Sequence, residues 1–394
     1  MEGRLSKLMN KDSVAMVLYA RFPSEMAYSH HIIQVAKGFV DNNCDVNIYY
    51  PKTYNKKTLK ETPEEYYGKL TNVRFIQINN VDITSFKIYE ISPSFVKRIL
   101  YSLNTFIWSR KLKKNRKENF VWSTNPNILL VVKKYFKHVI YEKHGQAKYI
   151  QKLSISILKK SKNTLMIGVT EFAYNELSKN FNNTLYLTNG VDKNFISQKE
   201  KVLSSNPLTI GYIGMLETYG VDKGVLDSIK TIDKLATKTK LNIEIIGGPE
   251  HKLNELRDFI KTSNEGKNYL VKPSIPHSEV SEALRNFDIG IVPYPNESHM
   301  NKYASPMKIF EMAACGVPIL ASDIKSHKEL EKFNLGIIYF KNGNFSDFSL
   351  RLQELILDTD LRKKLTQLSL KNIGNLSWDN RMNTVLTSAR SSTG

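Results

Sequence analysis

The chain has 394 residues, 24% charged and 41% hydrophobic, with 19 Gly and 13 Pro, a globular composition that excludes disordered, collagen-like and disulfide-built proteins. The length predicts two domains with separate cores, and the two cysteines, Cys44 and Cys315, lack metal-ligand spacing and fit a reducing compartment. Net charge is +19, of which residues 1–200 carry +16; this asymmetry points the first half at a polyanionic partner, whether nucleic acid, an anionic membrane or a phosphorylated ligand.

Short β-rich runs alternate with helical patterns along the whole chain. In the first half the predicted strands are Val14–Tyr19, Val46–Tyr50, Val73–Ile78, Phe120–Ser123, His138–Glu142, Leu165–Val169 and Leu185–Leu187. Several are nearly continuous in apolar residues, as strands buried on both faces must be. Tyr28–Phe39 and Phe95–Ile107 space apolar residues three and four apart and predict helices. After a polar, punctuated break near Asn194–Pro207 the scheme repeats. Its strands are Leu208–Ile213, Ile243–Ile246, Tyr269–Val271, Ile289–Val292, Pro318–Ala321 and Ile337–Phe340, with helices at Gly224–Ala236, Leu253–Thr262, Ser278–Asn286, Met307–Ala314 and Phe345–Leu357. The expected fold class is α/β: two doubly wound, Rossmann-like domains facing a central cleft. No apolar run reaches the roughly 18–20 residues of a transmembrane helix. MEGRLSKLMNKDS carries no apolar signal core, so a cytoplasmic protein is expected.

The sequence has no G-x-x-x-x-G-K-[ST] loop, no G-x-G-x-x-G after a strand, no G-x-S-x-G elbow and no HExxH. These absences disfavour a P-loop nucleotidase, a dinucleotide-dependent dehydrogenase, a serine hydrolase and a zincin. His30–His31 lies on a predicted helix without a second ligand pair, and no metal site is expected. The positive signals are loops after strands. GMLETYGVDKG places Lys223 just before a helix, where free N–H groups and the helix dipole suit a phosphate. Gly247-Gly248-Pro249 lets backbone approach a ligand closely. In PYPNESHMNKYASPMKIFE, Ser305 and Pro306 suit N-cap and first-turn positions, and Lys308 and Glu311 share a helix face at i, i+3, where a solvated ion pair is the plain alternative to a ligand role.

Together these segments resemble the retaining glycosyltransferases of family four, which adopt the GT-B fold. GYIGMLETYGVDKG, IIGGPE and IVPYPNESHMNKYASPMKIFEMAACGVPILASD carry the resemblance in the second half; RFPSEMAYSHHIIQVAKGF, YEKHG and the stretch from GVTEF to LTNGVDKNF carry it in the first. NLSWDNRM is similar to the start of the family's final helix, so the expected division is an acceptor-side domain at 1–195, a donor domain at 196–376 and a helix at 377–394 that crosses back. The resemblance implies transfer of a sugar from a nucleotide-diphosphate sugar, with retention, no metal and no cofactor beyond that co-substrate. It implies that Glu311 holds the ribose hydroxyls and that Lys223 neutralises the departing diphosphate. Gly214, the Ser305–Pro306 turn and Lys308 would bind diphosphate or sugar, Gly247, Pro273 and Ser274 would line the nucleotide pocket, and His144 would reach the sugar from the acceptor side. Two positions depart from the pattern: Tyr303, expected among the donor-binding residues, stands where a Glu is usual, with Glu297 nearby in sequence, and Met215 where an Arg is usual.

The acceptor is expected to be a glycan or a lipid-linked molecule. Residues 93–118 begin with an apolar stripe at Val96, Ile99, Leu100, Leu103, Phe106 and Ile107 and end with Arg110, Lys111, Lys113, Lys114, Arg116 and Lys117. Such a segment suits peripheral docking on the inner face of an anionic membrane, with Trp108 at headgroup level; the alternative is a domain helix with its apolar side on the sheet. Two further readings stand beside the enzyme. One is a sugar-nucleotide-binding homologue without catalysis. The other is a basic nucleic-acid module, because WSRKLKKNRKENFVW interleaves aromatic and basic residues; the apolar period before Trp108 argues against it.

Overall fold

The computed structural model describes residues 11–54, 59–113, 118–179, 181–196, 207–218, 220–236, 239–263 and 267–392. The chain divides into two units, residues 1–187 with 378–394, and residues 188–377. In the first unit the strands are β1 Ser13–Val17, β2 Asp45–Pro51, β3 Val73–Ile78, β4 Phe120–Ser123, β5 His138–Lys143, β6 Thr164–Gly168 and β7 Thr184–Tyr186. They form one parallel sheet in the order β3-β2-β1-β4-β5-β6-β7. The central strands β4, β5 and β6 are buried at every residue, which is why their sequences run almost without polar alternation, whereas edge strand β3 is half-exposed. Strand order reverses between β1 and β4, and the loops beyond their carboxyl ends are where such a sheet binds ligands.

The unit is closed by a helix from the far end of the chain. Helix Trp378–Ser391 lies on helix Ala27–Asp41 so closely that a Cβ on Gly38 would sit 2.6 Å from the Trp378 carbonyl oxygen. Asn42 Nδ2 donates to Asp379 O at 2.8 Å beside it.

The second unit repeats the design with β8 Leu208–Met215, β9 Glu217–Thr218, β10 Val221–Asp222, β11 Leu241–Gly248, β12 Lys267–Pro273, β13 Ile289–Val292, β14 Ile319–Ser322 and β15 Ile337–Phe340. Six of these form a parallel sheet, β12-β11-β8-β13-β14-β15, while β9 and β10 pair as a short antiparallel hairpin. Apolar side chains cover both faces. Ile210, Tyr212, Ile243 and Phe348 belong to one core, and Phe287, Phe310, Met312 and Ile319 to the other. The switch point falls between β8 and β13.

Candidate functional site

At the carboxyl ends of three adjacent strands of the second unit, Gly214, Gly247 and Pro273 stand side by side in register. A Cβ on Gly247 would lie 2.0 Å from the Gly214 carbonyl oxygen, so only glycine allows the strand ends to come this close. Gly214 itself has φ +125°, and a Cβ there would meet the Lys308 ammonium at 2.6 Å. Ser274 follows Pro273, on the same rim.

Two lysines converge on the rings of the β8–β13 switch point. Lys223 is buried, its backbone N–H donating to Leu216 O at 2.9 Å and its Nζ standing 5.1 Å from the Tyr294 ring centre. The next residue, Gly224, has φ +75° and opens helix Val225–Asp233. Lys308, on helix Met307–Ala314, donates to the Tyr212 hydroxyl at 3.0 Å and lies 4.1 Å from that ring and 5.4 Å from Tyr294. Among the described residues neither ammonium is bridged to a carboxylate. Burial pushes Lys223 down to about 8. Burial, and then the neighbouring Lys223, hold Lys308 well below its usual range, with Glu311 pulling the other way. Two desolvated lysine amines held this way gain their charged form when a multiply charged anion sits beside them, which makes the pair suited to such an anion.

Lys308 and Glu311 do not form the surface ion pair that their spacing allows. Glu311 turns instead to His277, at the start of helix His277–Arg285, whose Nε2 stands 3.0 Å from its Oε1. The expected N-cap is displaced by one residue. Pro306, not Ser305, caps helix Met307–Ala314, and the Ser305 hydroxyl accepts from the Asn189 backbone N–H at 3.0 Å while its carbonyl accepts from Asn189 Nδ2 at 2.7 Å. The serine therefore braces the turn and leaves the first helical amides without a side-chain cap. Tyr303 is buried at the end of helix Ser298–Tyr303, and Glu297 caps that helix by accepting from His299 N–H at 2.8 Å.

In the first unit His144 sits just beyond β5. Its Nε2 donates to Glu142 Oε1 at 2.8 Å, for an ionised carboxylate only accepts. Glu142 is fully buried; its Oε2 takes Arg381 Nη1 at 3.0 Å and Trp122 Nε1 at 3.2 Å, and His31 Nε2 lies 3.1 Å from Oε1. Burial alone would raise this carboxyl, but Arg381, with the hydrogen bonds from His144 and His31, overrides it and holds the group well below the carboxylate range. Burial, with His144 beside it, pushes His31 down to about 4, so it is neutral at pH 7. His31, Glu142 and His144 place their ligand atoms within 4.8 Å of one another. The ligand companions that His31 lacked in the linear pattern are thus brought to it by β5. Period-two alternation sets Glu142 and His144 on one side of the strand end, the one local sign of this pair; nothing local pointed to Arg381, 239 residues away.

Helix Ser94–Ser109 packs by its polar side, contrary to the alternative that set its apolar side on the sheet: Asn104, Thr105, Trp108 and Ser109 face inward, and Phe95, Ile99, Leu103 and Ile107 face solvent. Trp108, expected at headgroup level, is 1% exposed and packs on Tyr19. With Phe120 and Trp122 also buried, the aromatic residues of this stretch offer no stacking surface to nucleic acid. Arg110 and Lys111 are exposed; the side chain of Lys113, and Lys114, Arg116 and Lys117, lie outside the described residues.

Residues 194–371 match the family model for glycosyl transferases group 1. No curated protein sequence matches the chain. In structure the chain is similar to a sucrose-phosphate synthase from Thermosynechococcus elongatus, at 11% identity and TM-score 0.68 over 97% of this chain and 100% of that one. It is similar to a glycosyltransferase from Rickettsia africae at 15% identity and TM-score 0.69, covering 97% and 99%. Anabaena HepE, solved with UDP and glucose, aligns at 12% identity and TM-score 0.62, covering 95% and 99%. These likenesses show the expected fold, two doubly wound parallel-sheet units of the GT-B kind.

Proposed function

We propose that the protein is a glycosyltransferase that moves a sugar from a nucleotide-diphosphate sugar to a glycan or lipid-linked acceptor, with retention and without a metal ion. The observation that carries this reading is the pair Lys223 and Lys308, buried against Tyr212 and Tyr294 at the switch point of the unit that matches glycosyl transferases group 1. As the bond between sugar and diphosphate breaks, negative charge grows on the leaving oxygens. Two lysine amines already desolvated and in place, kept as ammonium by the bound diphosphate, stabilise that charge with little reorganisation. The amides that open helix Met307–Ala314 add dipole of the same sign. Glu311, steadied by His277 at Oε1, keeps lone pairs for the two ribose hydroxyls. His144, fixed by Glu142, is the first unit's contribution to transfer, and the basic character of that half suits an anionic acceptor at the cytoplasmic face of a membrane.

Titration calorimetry with UDP, GDP and ADP tests the core of this reading, and no binding to any of them defeats it. With a turning-over donor and acceptor, product NMR shows retained anomeric configuration and EDTA leaves the rate unchanged. Inversion or strict dependence on a divalent ion removes the mechanism. Tyr303 and Met215, where the resemblance leads one to expect Glu and Arg, favour one second reading, a nucleotide-sugar-binding homologue without catalysis. Nucleotide binding with no transfer across a donor panel identifies it.

A further inference from the structure

We propose that the outward face of helix Ser94–Ser109 docks the first unit on an anionic lipid bilayer, an inference that rests on the lipid-acceptor part of the proposed function. Eight of the eighteen large apolar side chains exposed among the described residues fall within residues 81–107. Four of them, Phe95, Ile99, Leu103 and Ile107, follow at intervals of four and line one side of the helix, each between 44% and 59% exposed. Phe86, Ile88 and Ile91, just before it, are exposed by 50% to 75%.

The inward side is held by polar groups. Asn104 Nδ2 donates to the Tyr19 hydroxyl at 2.5 Å and to Val81 O at 2.7 Å, and the Tyr101 hydroxyl donates to Tyr19 O. The helix is thus fixed in this orientation by its own hydrogen bonds and does not roll to hide the stripe. A face of this kind marks an interaction surface. No described helix is long and apolar enough to cross a membrane, so the fit is to an interface, with the helix lying in its plane.

Charge selects the occupant. Lys87, Arg98, Arg110 and Lys111 are exposed around the stripe, and Arg110 falls three residues after Ile107, on the stripe's own side. A second copy of the chain would bring two such basic surfaces together, whereas an anionic leaflet offers hydrocarbon to the stripe and phosphate to the cations.

The test is flotation of the full chain with phosphatidylcholine vesicles and with phosphatidylcholine–phosphatidylglycerol vesicles, at about 0.05 M and about 0.5 M salt, with UDP binding measured on the same preparations. Expected is flotation with anionic vesicles only, at least tenfold weaker at high salt. It is lost in Phe95→Ser/Ile99→Ser/Leu103→Ser/Ile107→Ser and weakened in Arg98→Gln/Arg110→Gln/Lys111→Gln, while both variants bind UDP as the parent does. Equal flotation with neutral and anionic vesicles, or none with either, overturns the proposal. So does a sedimenting dimer that the four serines abolish. Flotation as expected from a chain that binds no nucleotide supports the docking face and defeats the donor-site reading alone.

Discussion

A lysine near 8 loses its charge inside the range where a transferase is assayed, and Lys223 is such a lysine. Below that value the ammonium is present and, in the proposed site, holds the diphosphate. As pH rises through it the charge goes, and affinity for UDP falls. Binding at pH 8 takes up protons, because the bound anion favours the ammonium. Calorimetry at pH 7 and pH 9 reads the fall, and Lys223→Arg removes the part of it that Lys223 carries, since a guanidinium stays charged, leaving the part due to Lys308, which is also held below its usual range. A UDP affinity that is level to pH 9 in the parent chain sinks the assignment. Lys223→Ala and Glu311→Ala each lower turnover by at least about tenfold with the fold intact, the scale of losing one stabilising group at developing charge. The sequence pointed to Gly214 and Gly247 at the ends of strands, and to Lys223, Lys308 and Glu311 just before or within a helix that follows a strand, positions whose backbone chemistry is visible locally. It did not find Tyr212 or His277. Tyr212 reads as one more apolar residue of β8, and His277 meets Glu311 only because two separate helices converge.

At the scale of elements, helix Trp378–Ser391 holds the first unit through Arg381 and through the groove at Gly38. Arg381→Met leaves the Glu142 carboxylate buried without its main counter-charge. The expected cost is about 3–5 kcal/mol, read as a lower urea midpoint of tryptophan fluorescence, and Arg381→Met/Glu142→Leu recovers part of it. An unchanged midpoint in the single variant shows the ion pair to be structurally idle. Strand positions were readable to within a residue or two because buried parallel strands are short apolar runs between breaks. The orientation of helix Ser94–Ser109 was not. Periodicity shows that a helix has an apolar side but not which side meets the sheet; here Asn104 finds partners in the Tyr19 hydroxyl and Val81 O, and Thr105 and Ser109 satisfy their hydroxyls on carbonyls of their own helix, so the polar side can turn inward.

For the whole molecule, acid acts on both units at once. Burial pushes His31 in the first unit and His327 in the second down to about 4 from 6.5. Both are neutral when folded and protonated below about 6.5 when unfolded, so stability is full above pH 6.5 and falls as pH drops toward 4. All three tryptophans, Trp108, Trp122 and Trp378, belong to the first unit, so fluorescence follows that unit and circular dichroism follows both. Urea midpoints at pH 7 and pH 5 differ by either probe; midpoints level down to pH 4 contradict the buried neutral imidazoles. The division of the chain also orders its birth on the ribosome. Residues 188–377 emerge as one continuous stretch, whereas the first unit, begun earlier, waits with Gly38 uncovered and Glu142 without its guanidinium until residues 378–391 have been made. The part of the protein synthesised first is the part completed last.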